Sequence, residues 1–126
     1  MRRLAIAKWG DRVGTTLDFA NQFLVVELWA GKVIRRREIS LKSRAPGEVA
    51  LLLARLKVTD VICGAISRLL FQNLETKGMQ VIPFVSGHVA EVLLAFEKGA
   101  LDEGSFLMAG CPPDARRNWR DPWFNH

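Results

Sequence analysis

The sequence has no apolar run near the ~20 residues that a membrane-spanning helix requires, and its 126 residues include only two cysteines, Cys63 and Cys111. The first absence excludes a helical membrane protein. The second excludes a disulfide framework and, with no C-x-x-C pair and only His88 and His126 to add, argues against a closed zinc or iron–sulfur site within one chain. Arg2 and Arg3 are followed by only Leu4, Ala5, Ile6 and Ala7 before Lys8, too short a stretch for a signal peptide. A reducing, cytoplasmic setting is therefore expected. There is also no P-loop, no GxGxxG and no spacing that argues for a Ser-His-Asp or Cys-His pair. Carboxylates do not cluster: Glu27 and Asp60 are isolated, Asp11, Asp18 and Asp102 fall in loops or edges, and the first apolar strand has none. Two-metal phosphoryl chemistry needs clustered carboxylates at strand ends, so a nuclease is not expected and the chain reads as non-enzymatic.

What is present is organised around residues 58–99. An apolar run ends at Cys63-Gly64, and Ile66, Leu70 and Leu74 then recur at helical spacing up to Gly78. A second run follows at 81–85, and Val89, Val92, Leu93 and Phe96 give one further buried helix face. This is a βαβ unit plus a helix, which demands a parallel sheet covered on both faces. Upstream, residues 4–9 read as a strand, 10–16 as a loop, 22–29 as a second strand and 32–41 as a third, joined to the second by a hairpin turn at Gly31. Residues 42–47 connect to a helix bearing Val49, Leu52, Leu53 and Leu56, with Pro46 near its start.

The expected fold class is thus α/β, in the order β-β-β-α-β-α-β-α. Short connections and right-handed crossovers give a five-stranded mixed sheet of spatial order 3-2-1-4-5, with strand 2 antiparallel. Residues 104–126 are expected to be an irregular basic aromatic tail after a domain at 1–103. That tail, with Trp119, Trp123 and Phe124 among its arginines, is a docked extension, an arm onto a partner, or disordered; packing is preferred because large aromatics seek burial.

Several features carry candidate chemistry. The Gly64–Ser67 turn offers N–H groups at a helix start, the Ser67 hydroxyl and the Arg68 cation, either as a capped start alone or as a contact for an anion. Cys63 is a small buried hydrophobe or a thiolate at a helix amino terminus suited to a soft metal. Cys111 lies in an accessible segment as a mobile thiolate, and His88 is a solvated residue of the last helix's first turn or a ligand at the rim. The net charge of +5 is concentrated in Arg35-Arg36-Arg37 and in Arg116, Arg117 and Arg120. On a strand, such charges either protect a sheet edge or meet a polyanion.

Ala5-Ile6-Ala7, Phe19-Ala20-Asn21-Gln22-Phe23, Asp60-Val61-Ile62-Cys63-Gly64, Gly78-Met79-Gln80-Val81 and Phe96 to Leu101 occur in an order that resembles the dinitrogenase iron-molybdenum cofactor biosynthesis family. The resemblance implies a ribonuclease H-like three-layer domain that binds an iron-molybdenum or iron–sulfur cluster, or a precursor, transiently. It also implies cluster-assembly or acceptor proteins as partners. The candidate metal ligands are then Cys63 and Cys111, and the candidate cargo contacts Gly64, Ser67, Arg68 and His88. Two departures mark a divergent member: Asp18 stands where the family often has a histidine, and Gly64-Ala65-Ile66-Ser67 replaces a Gly-Gly-Ile-Gly turn. The alternative is an interaction or regulatory module that grips a protein or nucleic acid through the tail and the basic edge; a homodimer is also open.

Overall fold

The central element is β1 (Arg2–Trp9), whose Leu4, Ala5, Ile6 and Ala7 are all fully buried. Its residues alternate between the two faces of the sheet, so an apolar run without polar interruption is what a strand covered on both sides requires. The computed structural model describes residues 1–41, 48–101 and 104–120. The expectations for Pro46, Asp102, Trp123, Phe124 and His126 lie outside the described residues.

Among the described residues the sheet has six strands. Five of them, β1, β3 (Gln22–Trp29), β4 (Lys32–Ser40), β5 (Asp60–Ile62) and β6 (Gln80–Ile82), run in the order β4-β3-β1-β5-β6. The sixth, β2 (Arg12–Val13), pairs with the end of β1 inside what the sequence presents as a loop. The expected count of five is corrected accordingly. A two-residue strand has no periodicity to read, and its pairing comes from the tight turn at Gly10, where φ is +62°. β3 runs antiparallel to β1 and β4, whereas β5 and β6 are parallel to β1.

Each face carries its own core. Ala5, Ala7, Phe23, Val25 and Val61 meet α1 (Glu48–Arg55) and α2 (Arg68–Thr76) through Leu53, Phe71 and Leu74. Leu4, Ile6, Leu24, Val26 and Ile62 meet α3 (Val89–Glu97) through Val89, Val92 and Leu93. The two carboxylates isolated in sequence are taken up by arginines: Asp60, 3% exposed, accepts from Arg2 Nη2 at 2.7 Å, and Glu27 from Arg3 Nη2 at 2.7 Å.

The segment expected to be irregular contains a helix, α4 (Ala115–Arg120). Its Arg116 is fully buried and donates from Nε to the Pro83 carbonyl at 2.6 Å and from Nη2 to that of Phe84 at 3.3 Å. Arg120 Nη2 reaches the Val81 carbonyl, and Trp119 packs edge-on against Phe71 and Phe84 at 5.7 and 5.3 Å between ring centroids. Leu107 adds a bridge to Val85. The extension is therefore docked as far as residue 120, with arginines donating to carbonyls along and just beyond the edge strand β6.

Candidate functional site

Three loops gather at the carboxyl ends of the parallel strands, the rim where open α/β sheets bind ligands. Backbone hydrogen bonds lace them together. Val13 N–H donates to Gly87 O, Val89 N–H to Asp11 O, Ala65 N–H to Thr15 O and Phe84 N–H to Gly64 O, at 2.8–2.9 Å. The contact is close enough to dictate composition. A Cβ on Gly64 would lie 2.5 Å from Gly14 O and 2.6 Å from Thr15 O, so only glycine fits.

At the next turn, Ser67 Oγ accepts from Leu70 N–H at 3.2 Å, an ordinary amino-terminal cap for α2. The Ser67 N–H itself donates to Asp18 Oδ1 at 2.7 Å. The anion that this helix start invites is thus a side chain of the same chain. Asp18 was legible only as a departure from a family pattern, because its partner lies 49 residues away. Arg68 is also engaged: Nη1 donates to Trp119 O, and its guanidinium lies 5.1 Å from the Trp119 ring centroid.

Cys63 sits in the core with no exposure. Burial pushes its thiol up, the Asp18 charge adds to this, and Arg116 opposes both. Of the two readings, its burial accords with the small hydrophobe. Cys111 is partly buried in the turn before α4, where its N–H donates to Met108 O at 3.1 Å. No group of three or more His, Cys, Asp or Glu residues placed to hold a metal occurs among the described residues.

His88 does reach the rim. Its half-exposed ring lies with Nε2 3.3 Å from Arg12 Nη1 and Nδ1 3.7 Å from the Asp11 carboxylate. Because a guanidinium only donates, Nε2 accepts and the neutral ring carries its proton on Nδ1, facing Asp11. On either side of the β1–β2 turn lie two hollows that share Lys8, Gly10 and Asp11. One, of about 570 Å³, extends between β4 and His88 on α3. The other, of about 590 Å³, is lined by residues 8–16 and 19–21. Both are of a size that takes a small ligand. Trp9 and Phe19 line the second and are 75% and 76% exposed. Neither was singled out from sequence; the signal was two large aromatics flanking a polar, glycine-bearing stretch.

A mixed sheet with helices on both faces, its loops knit into a rim with ligand-sized hollows, defines a small α/β domain. The chain belongs to the dinitrogenase iron-molybdenum cofactor family, whose model matches residues 1–99. Among solved structures, a Thermotoga protein provisionally designated NifB is 26% identical, with a TM-score of 0.61 over 88% of this chain and 100% of its own. The apo form of the orange protein from Desulfovibrio gigas, 22% identical, shares the fold with a TM-score of 0.67 over 87% of this chain and 95% of its own. A Methanocaldococcus jannaschii protein provisionally designated a dinitrogenase, 18% identical, does so with a TM-score of 0.66 over 79% and 91%. No curated protein matches the chain.

Proposed function

We propose that the protein is a non-enzymatic carrier that binds an anionic metal cluster, its precursor or a related anion in the hollow formed by residues 8–16 and 19–21. The carrying observation is that a chain of the dinitrogenase iron-molybdenum cofactor family has, at its sheet rim, a hollow of about 590 Å³ lined by Lys8 and Arg12. With Cys63 buried, the cargo is held as an anion by Arg12 and by the Thr15 and Thr16 hydroxyls, the Lys8 ammonium being paired with Glu38, while Trp9 and Phe19 shield it from water. His88 supports the site indirectly, its Nε2 lying 3.3 Å from Arg12 Nη1. The layering and strand order support a ribonuclease H-like classification. The unbridged cysteines support a cytoplasmic setting, where cluster-assembly and acceptor proteins are the partners.

The test is iron, molybdenum and zinc content with an absorption spectrum on anaerobically purified protein, before and after incubation with cluster-assembly components. Stoichiometric uptake is expected. Arg12→Ala should weaken it roughly tenfold, the loss of one charge-assisted hydrogen bond, and Cys63→Ala should leave it unchanged. Failure of the intact protein to take up any metal overturns the reading.

A further inference from the structure

The outer wing of the sheet carries a second grouping of charge, which meets a rim hollow only at Arg37. In β3 and β4, Trp29 lies opposite Lys32, Glu27 opposite Arg35 and Val25 opposite Arg37, while Arg3 of β1 lies opposite Glu27. Opposed residues share a face, as do residues two apart along a strand. Arg3, Trp29, Lys32, Arg35 and Arg37 therefore stand on one face with Glu27 as the acid among them.

That grouping depends on an irregularity. The register shifts between Glu27 and Leu28, leaving Ile34 as an extra residue in β4. In an unbroken strand, Lys32 and Arg35, three positions apart, would point to opposite sides. The bulge re-aims Lys32, so that three cations of the edge strand come to the face of Trp29. Protection of a sheet edge does not need this: charges on either face would serve.

Glu27 is already bound to Arg3 at 2.7 Å and lies 3.9 Å from Arg35. Lys32 and Arg37 make no ion pair among the described residues. A hollow of about 240 Å³ opens between Arg3, Arg35 and Arg37. Arg35 and Arg37 are spaced about 7 Å along the strand, a step suited to successive phosphates of an unstacked chain. Trp29, 61% exposed, offers a ring face beside them. Cations in a row next to an exposed aromatic are the components of sequence-tolerant single-strand recognition, in which phosphates meet the cations and a base stacks on the ring.

We propose that this face of β3 and β4 binds single-stranded nucleic acid, with Lys32, Arg35 and Arg37 on the phosphates and Trp29 under a base. It is distinct from the hollow lined by residues 8–16 and 19–21 and from the tail, whose Arg116 and Trp119 are engaged within the domain; Arg37 alone also lines the other rim hollow.

The experiment is titration of the intact protein with a labelled oligothymidylate of about ten nucleotides, followed by anisotropy and tryptophan emission over a range of salt. Expected are a log–log salt slope near −2, from three phosphate contacts at about −0.7 each, and quenching that Trp29→Leu abolishes. Arg35→Gln with Arg37→Gln should bring the slope to roughly −0.7 and weaken binding at least tenfold. These side chains are exposed, and circular dichroism will show whether the variants keep the fold. No binding at low salt overturns the proposal. So does equal binding of polyglutamate or anionic vesicles without quenching at Trp29, which would mark a generic cationic surface.

Discussion

Cys63 admits two readings in sequence, a small buried hydrophobe at the end of an apolar run or a thiolate at a helix start. In the structure its side chain points into the core with Ala5, Val61 and Phe71, and burial holds the proton on. The consequence for stability has a definite sign. The unfolded chain releases this proton above about pH 8.5, and the folded chain keeps it. Stability is therefore fully present below that pH and declines as pH rises toward the raised folded value, by up to about 1.4 kcal/mol per pH unit. Urea unfolding from about pH 7 to pH 10 should show this decline in the parent protein and in Cys111→Ala, and lose much of it in Cys63→Ala. Position and burial of the strand were readable from its apolar run. Which way one terminal side chain points was not, because a strand end has no alternation beyond it to fix the face.

The elements divide in the same way. The long strands and the three amphipathic helices were legible, since each repeats its pattern over several residues and buries that pattern on a neighbour. α4 was not. Its six residues, Ala115-Arg116-Arg117-Asn118-Trp119-Arg120, present no apolar stripe, and Arg116 is buried only because carbonyls of a distant loop are there to receive it. That loop is itself strained: Phe84 has φ of +62°, and its carbonyl accepts from both Met108 N–H and Arg116. Arg116→Met keeps the bulk but removes the donors. It should cost about 2 kcal/mol in urea denaturation, the penalty for the Pro83 carbonyl left unsatisfied in a dry site while that of Phe84 keeps Met108 N–H, and should speed amide hydrogen exchange at Val85 and Ser86. An unchanged midpoint would mean that Trp119 and the Leu107 bridge hold the loop without the arginine.

For the whole molecule, the arrangement about β1 governs how stability is distributed. β1 is paired on both sides and buried on both faces, while β4 is paired on one side and exposed along most of its length. Native-state hydrogen exchange should therefore rank the amides of β1 and β5 slowest and those of β4 near its Arg35–Arg37 stretch among the fastest. A uniform rate across the sheet would contradict this. The α/β class followed from the chain order alone. The meeting of the three loops at one rim followed from the strand order, but the hollow lined by residues 8–16 and 19–21 did not, because a loop folded on itself has no periodic pattern to read.

The docking of α4 also sets a timetable for synthesis. On the ribosome, every strand of the sheet emerges before Ala115 does, so a nascent chain can pair β1 with β3 and β5 while the carbonyls of Pro83 and Phe84 still await their donor. The sheet comes early and the clasp on its last strand comes late, so a chain held at that stage has its architecture with the edge beyond β6 still open.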